Sequence, residues 1–318
     1  MQPRFWYNKR AQETLAAFVN GGRFPHALLL EGPAGSGRRT FAREIAAALF
    51  CRGEEKPCGE CSQCRKVLEQ NHPDVEYYGG DGSRRSFHID AIRRLRQNAW
   101  LLPGEAPCRV CVLCGAENMT DQAQNALLKI LEEPPEHTVF ILTAENRAML
   151  LPTILSRVQT IRLEPLTPEE ILPVLRERCP DLPEEKRRWA SETAETIGGA
   201  LALLADDSLQ KNARLTQRVL ELLSGGSEYE LLTALEPVSR KREDLLEVCT
   251  LLRQKLAAEL YQAASGKESV FSARRLTGMI EALDDLCPRI EQNGNTLLLS
   301  TLLAIRLHQT GAGRSPRT

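Results

Sequence analysis

The stretch Leu28 to Thr40, LLLEGPAGSGRRT, joins a short apolar run to a glycine-rich loop and then to a helical pattern. The glycines Gly32, Gly35 and Gly37 allow backbone N–H groups to turn toward an anion, and the dipole of the following helix favours negative charge there. A buried strand that leads through such a loop into a helix predicts the phosphate-binding frame of a P-loop α/β domain.

The residues that follow this loop argue against working ATP chemistry. A P-loop needs a lysine for the outer phosphates and then a hydroxyl for Mg²⁺. This chain has Arg38 and Arg39 there, and Thr40 comes one residue late, about a hundred degrees around the helix. The planar guanidinium is larger and more rigid than an ammonium group. We therefore expect the loop, including Arg38 and Arg39, to bind phosphate weakly or not at all, without a functional ATP site.

Length and composition set the class of protein. A chain of 318 residues suggests two or three domains, and 42% hydrophobic with 26% charged residues is typical of a globular protein. The net charge of −1 argues against a surface that binds nucleic acid everywhere, but leaves a local patch open. No segment resembles a signal peptide or a membrane span, so we expect a cytoplasmic protein without a membrane partner.

Four cysteines form a local cluster with the spacing C-x6-C-x2-C-x2-C: Cys51, Cys58, Cys61 and Cys64. Four thiolates this close in sequence can surround one ion tetrahedrally, and such a closed site is structural rather than catalytic. An iron–sulfur cluster also uses four cysteines. The compact spacing favours structural zinc, and the iron–sulfur alternative stays open.

The segment CRVCVLC (108–114) has three further cysteines, but its apolar composition predicts a buried strand. On a strand, Cys111 points to the opposite face from Cys108 and Cys114, so the three thiols cannot converge on a metal. A P-loop ATPase carries an acidic pair at the end of this strand. Here those positions are Cys114 and Gly115, and Glu117 lies too far along to be an obvious substitute.

Strand and helix patterns alternate along the first half of the chain. The patterns predict a strand over 75–78, a helix over 89–100, a helix over 121–133 and a strand over 138–143. This alternation predicts a doubly wound parallel sheet. Beyond it, residues 165–206 read as a small helical domain, and leucine-rich helical patterns continue to about residue 309.

A basic patch lies in and before the predicted helix over 89–100. It contains five arginines: Arg84, Arg85, Arg93, Arg94 and Arg96. Such a patch can contact nucleic acid or a partner protein, but a solvated helix face explains it at least equally well.

The segments NALLKILEEPPEHTVFIL (125–142) and ILSRVQTI (154–161) resemble the clamp-loader branch of the AAA+ ATPases. With the HALLLEGPAGSG segment, the four-cysteine insert, NHPD and the terminal helices, the resemblance covers essentially the whole chain. It implies an AAA+ type α/β P-loop domain over 1–164 with a zinc module at 51–64. A small helical lid domain over 165–207 and an all-α collar domain for oligomerisation over 208–318 follow.

The resemblance also implies roles for single residues. Ser156 and Arg157 match the start of a serine-arginine-cysteine motif, whose arginine reaches across a subunit interface as an arginine finger in trans. Val158 replaces the cysteine of that motif. Thr143 falls where the family places a γ-phosphate sensor, and Leu201 where the motor subunits carry an arginine. An ordinary salt-bridging arginine is the alternative for Arg157.

The implied function is that of a non-hydrolysing clamp-loader subunit of bacterial DNA polymerase III. Its implied partners are the gamma/tau and delta subunits, the sliding clamp indirectly, and primed DNA through the assembled complex. The residues themselves leave two alternative functions open. The chain could be an ATPase in which Arg38 replaces the lysine, or a zinc-dependent module that binds nucleic acid through the basic patch.

Overall fold

The computed structural model describes residues 8–21, 24–79, 87, 89–266, 269–292 and 294–310. The chain divides into two compact units, Met1–Leu201 and Ala202–Thr318. The predicted domain boundaries after residues 164 and 207 are a finer division and stay a prediction.

The first unit is built on a parallel sheet of five strands in the order β2-β3-β4-β1-β5. The strands are β1 (Ala27–Glu31), β2 (Val75–Tyr78), β3 (Arg109–Cys114), β4 (Thr138–Ala144) and β5 (Gln159–Arg162). The inner strands β3 and β4 are buried along their whole length, as their near-continuous apolar runs require. Because β1 lies between β4 and β5, the loop after β1 opens at a switch point of the sheet, where ligands of α/β proteins bind.

Among the described residues, six helices accompany the sheet: α1 (Lys9–Asn20), α2 (Arg38–Phe50), α3 (Ser62–Leu68), α4 (Ile89–Asn98), α5 (Asp121–Glu132) and α6 (Pro152–Leu155). Helix α5 begins where the Thr120 hydroxyl accepts the Ala123 N–H at 3.2 Å, and it ends before Pro134 and Pro135. Its apolar face packs into the core formed with the sheet, for example through Leu127. The predicted helices and parallel sheet are therefore confirmed, with bounds shifted by a few residues.

Three short helices follow β5: α7 (Pro168–Arg178), α8 (Glu184–Thr193) and α9 (Ile197–Ala205). A capping box lies at the start of α7, where the Thr167 N–H donates to the Glu170 carboxylate at 2.9 Å.

The second unit is helical: α10 (Asp207–Gly225), α11 (Glu228–Leu235), α12 (Arg242–Ala264), α13 (Ala273–Glu291) and α14 (Thr296–Gln309). Its core consists mainly of leucines that recur at helical spacing, as the sequence predicts. In the part of the chain that the structure describes, no helix has the length and apolarity that a bilayer crossing needs.

Candidate functional site

The glycine-rich loop lies between the carboxyl end of β1 and the start of α2. Gly35 and Gly37 have φ angles of 76° and 83°, which favour glycine. A Cβ atom on Gly32 would lie 2.8 Å from the Leu163 carbonyl oxygen, so this position also requires glycine. The backbone thus has the shape of a phosphate loop.

Arg38 occupies the lysine position of that loop, and its guanidinium is bound to its own chain. Nη1 donates to the Gly32 carbonyl oxygen, and Nη2 forms an ion pair with Glu145 Oε1 at 3.0 Å. The side chain is only 15% exposed. Its positive charge is therefore matched by a carboxylate rather than left for a phosphate.

A cavity of about 510 Å³ adjoins the loop. Its walls come from the loop and α2, the ends of β3 and β4, and α7 and α9. They include Gly35, Gly37, Arg38, Arg39, Thr40, Cys114, Gly115, Glu117, Thr143, Glu145, Arg178 and Leu201. The predicted loop residues other than Gly32 therefore share one pocket with the Thr143 and Leu201 positions. Arg178, Glu117 and Glu145 were not expected there, and sequence spacing carries no signal for them.

Residues at and just after the carboxyl ends of β3 and β4 form hydrogen bonds with one another. The Thr143 hydroxyl accepts the Gly115 N–H at 3.1 Å, which joins the ends of β3 and β4. Glu117 does reach the cavity wall although its spacing argued against it, and its Oε1 accepts the Glu145 N–H at 3.3 Å. Cys114 at the end of β3 is a buried thiol, not an acid. The pocket therefore has no carboxylate at the usual metal-binding positions of this strand end.

The N-terminus of α9 touches the loop directly. The Gly198 N–H donates to the Gly35 carbonyl oxygen at 3.0 Å, and the Thr196 hydroxyl donates to the Ala34 carbonyl oxygen at 3.1 Å. A Cβ atom on Gly198 would lie 2.6 Å from Gly35 Cα. The Gly198 N–H thus binds the loop and the Gly199 N–H donates to the Thr196 hydroxyl at 3.1 Å, so neither is free for an anion.

The second candidate site is the cysteine cluster, which follows α2 and includes the start of α3. The Sγ atoms of Cys51, Cys58, Cys61 and Cys64 all lie within 4.8 Å of one another. Four sulfurs held about 2.3 Å from one zinc ion are about 3.8 Å apart, so this arrangement can hold one metal ion such as zinc with little movement. Among the described residues, no other group of three or more His, Cys, Asp or Glu side chains is arranged so that it could hold a metal ion.

Backbone N–H groups point at the cluster sulfurs. Gly53 and Cys58 each donate to Cys51 Sγ at 3.3 Å, and Cys61 and Cys64 donate to the Sγ atoms of Cys58 and Cys61 at 3.4 Å. Donors in this arrangement favour the thiolate form, which is the form that binds metals.

Backbone N–H donors and burial shift the pKa values of the cluster thiols in opposite directions. The Cys61 N–H lowers the pKa of Cys58. Burial would raise the pKa of Cys61, but the N–H groups of Cys64 and Arg52 outweigh it and lower this pKa to about 6. Burial raises the pKa of Cys64 far above its ordinary value. At neutral pH the lowered pKa of Cys61 favours its thiolate form.

The thiols of CRVCVLC behave as packing residues. Burial raises the pKa of Cys108 to about 11 and that of Cys111 to about 12, so both stay protonated at neutral pH. Cys111 lies in β3 opposite Phe140 of β4.

The HPD segment ties the cysteine module to the sheet. The His72 ring lies 4.7 Å from the ring of Phe50, and its Nε2 contacts Gln63 in α3. Its Nδ1 accepts the Asp74 N–H at 3.0 Å. This last bond places the ring proton on Nε2, so that Nε2 donates to Oε1, the side-chain amide oxygen of Gln63.

Asp74 in the same segment anchors the loop before β3. Its carboxylate accepts the N–H groups of Gly104, Glu105 and Ala106 at 2.7, 2.8 and 2.9 Å. Burial would raise the pKa of Asp74, but these three donors outweigh it and hold the pKa below its ordinary value. The charged carboxylate therefore stabilises the folded chain.

We expect Asp74→Ala to destabilise the chain by about 3 kcal/mol at pH 7, because three N–H groups lose their acceptor. Urea unfolding of the full chain measures this, with the exposed Asp181→Ala as control. The Asp74 pKa is lowered by folding, so its contribution is present at neutral pH, shrinks below about pH 3.9 and vanishes once the pH passes the lowered value. Equal stability of both variants at pH 7 would contradict this role.

The third candidate site is Arg157, which follows α6 at the amino end of β5. Its guanidinium forms an ion pair with Glu132 at 2.8 Å, and Nη1 donates to the Thr153 carbonyl oxygen at 2.8 Å and to Ser156 Oγ at 3.1 Å. The side chain is still 33% exposed. A cavity of about 510 Å³ lies beside it, lined also by His26 and Gln159.

The basic patch is only partly described. Arg84 and Arg85 lie outside the described residues. Arg93, Arg94 and Arg96 are on the exposed face of α4, where Arg93 pairs with Asp90 at 3.0 Å. Exposed arginines fit both a solvated helix face and a contact surface, so both interpretations stay predictions.

The parallel sheet, the glycine-rich loop after its first strand and the helices beside that loop define an α/β P-loop protein of the AAA+ type. The family model described as DNA polymerase III, delta subunit matches residues 7–167, just over half of the chain. The chain therefore belongs to this family.

Individual relatives carry related names. The chain is 31% identical to DNA polymerase III subunit delta′ of Bacillus subtilis, over 67% of this chain and 64% of that relative. It is 30% identical to subunit delta′ of Escherichia coli, over 70% of this chain and 67% of that relative. The chain thus spans about two thirds of these relatives' length. A solved gamma subunit-related protein of Thermotoga maritima matches at 22% identity with a TM-score of 0.48, over 94% of this chain and 99% of that one.

Proposed function

We propose that this chain is a delta prime-type subunit of the DNA polymerase III clamp loader that does not hydrolyse ATP. In this role it helps to open the sliding clamp and to place it on primed DNA, as one member of a ring of related subunits in the cytoplasm. Family membership supports the class of protein. The observation that carries the non-hydrolysing role is Arg38, which fills the lysine position and is bound to Gly32 and Glu145.

Three further features support the loss of ATP chemistry. The end of β3 offers Cys114 and Gly115 where a metal-binding acid and a water-polarising acid are needed. Leu201 lies on the cavity wall without a charge for the phosphates. The N-terminus of α9 binds the loop carbonyl of Gly35.

Arg157 supplies the second half of the proposal. The phosphate loop follows the carboxyl end of β1, whereas Arg157 precedes the amino end of β5, and the two strands are parallel. The arginine therefore lies at the amino ends of the strands, whereas this chain's own pocket lies at their carboxyl ends. In our proposal it completes, together with the adjacent Ser156, the ATP site of a neighbouring gamma/tau subunit in trans. The delta subunit is a further partner in the same ring, and the clamp and DNA are reached through the complex.

The four-cysteine module has a structural part in this proposal. It holds one zinc ion, because four converging thiolates without an open position suit structural zinc. His72 then connects the closed site to the core of the α/β domain.

We expect the isolated chain to show no Mg²⁺-dependent ATP binding or turnover, and Arg38→Lys to leave this unchanged. Lysine would restore one phosphate contact, but the acidic pair would still be missing. Calorimetric titration with ATP and Mg²⁺ measures binding, and a phosphate-release assay measures turnover. A gamma/tau subunit is the positive control. Micromolar ATP affinity with turnover by the wild-type chain would instead establish an ATPase in which Arg38 replaces the lysine.

A further inference from the structure

The carboxylate of Glu132 holds Arg157 before any partner is present. Glu132 Oε1 lies 2.8 Å from Arg157 Nη2, across 25 residues of sequence. The Thr153 carbonyl and the Ser156 hydroxyl accept from Nη1 on the other side of the guanidinium. The arginine is therefore fixed by groups from two elements rather than extended freely into solvent.

Glu132 is itself on a firmly placed element. It is the last residue of α5, whose start is capped by Thr120 and whose apolar face is buried in the core. The next residue, Glu133, is exposed, and no ion pair joins it to the described residues. Both glutamates are exposed, and of the two only Glu132 contacts Arg157.

The ion pair leaves part of the guanidinium available. A guanidinium has five N–H donors. Two are used by Thr153 and Ser156, Nη2 forms the ion pair with Glu132, and no described residue accepts a hydrogen bond from Nε. Arg157 can therefore keep its position on Glu132 while donating to the oxygens of an approaching phosphoryl group.

We propose that Glu132 is a positioning residue for Arg157. The proposal rests on the trans role of Arg157. It adds that the carboxylate orders the side chain in advance, so that binding at the neighbouring ATP site does not have to order it. Misplacement of a reacting group by about 1 Å can cost as much as a hundredfold in rate, so a fixed guanidinium matters for turnover.

The test uses ATP hydrolysis by the reconstituted clamp-loader complex, stimulated by clamp and primed DNA. We expect Glu132→Ala to lower kcat about tenfold with an unchanged KM for ATP. Glu132→Gln keeps an acceptor without the charge, and we expect it to recover most of this loss, to within about threefold of wild type. Glu133→Ala is the matched control, with wild-type kcat. In an Arg157→Ala background, Glu132→Ala should cause no further loss.

The outcomes separate this proposal from the one on which it rests. Full activity with Arg157→Ala would remove the trans role itself. A large loss with Arg157→Ala beside wild-type activity with Glu132→Ala would overturn only the positioning role. An increase with Glu132→Ala would also overturn it, because the carboxylate would then compete with the phosphate. A further loss from Glu132→Ala without Arg157 would assign Glu132 a merely structural part.

Discussion

Replacing Arg157 with alanine should lower the clamp- and DNA-stimulated ATPase rate of the reconstituted complex at least tenfold, with the isolated chain folded as before. Arginine fingers contribute about 10³ to 10⁵ in rate where they have been dissected, because the guanidinium neutralises charge on the transferring phosphoryl group. The side chain is one-third exposed at an edge of the sheet away from its own pocket, so its removal creates no internal cavity.

Two comparisons identify the cause of that loss. Arg157→Lys keeps the charge but loses the planar fork, so we expect it to remain strongly impaired. Arg218→Ala removes another exposed, ion-paired arginine and should leave the rate unchanged. Complex assembly is checked by gel filtration for each variant. An assembled Arg157→Ala complex with the wild-type rate would reduce this chain to a scaffold and would contradict the trans role.

Removal of the cluster thiols should have the largest effect on folding. We expect the wild-type chain to hold one zinc ion, and Cys61→Ala to lose it. Structural zinc contributes about 10–16 kcal/mol of apparent binding energy in zinc-finger peptides, which is enough to decide whether a module of this size folds. Hydrogen exchange should therefore show loss of protection over residues 51–71, while β1 and β4 stay protected.

Cys179→Ala is the control, because this half-buried thiol lies outside the cluster. It should retain both the ion and the exchange pattern. Elemental analysis of the purified chain measures the metal directly. Iron in place of zinc would support the iron–sulfur alternative, and a metal-free chain with a protected module would contradict the structural role of the ion.

The sequence predicts features that depend on neighbouring residues. One continuous stretch of sequence predicts the strand, the glycine-rich loop and the helix around Gly35. The close spacing of the four cysteines predicts that Cys51 and Cys64 converge. The capping box at Thr167 is local in the same way. Each of these could be predicted because the chain has few ways to arrange a short segment.

Contacts between distant residues could not be predicted in this way. Arg38 meets Glu145 across 107 residues, and Arg157 meets Glu132 only because α5 and α6 pack together. Arg178 reaches the cavity wall from the end of α7. These partners depend on how the sheet and helices assemble, and surface charges carry no hydrophobic periodicity that would reveal them.

The contact between α9 and the phosphate loop also bears on how the chain can evolve. A lineage that regained ATP hydrolysis would need a lysine at Arg38, acids at the end of β3 and free space at the Gly35–Gly198 contact. Under the proposed function, a lysine alone would bring no activity on which selection could act, and it would replace the guanidinium that contacts both Gly32 and Glu145. Under the proposed function, we therefore expect each single substitution toward ATP hydrolysis to be neutral or harmful.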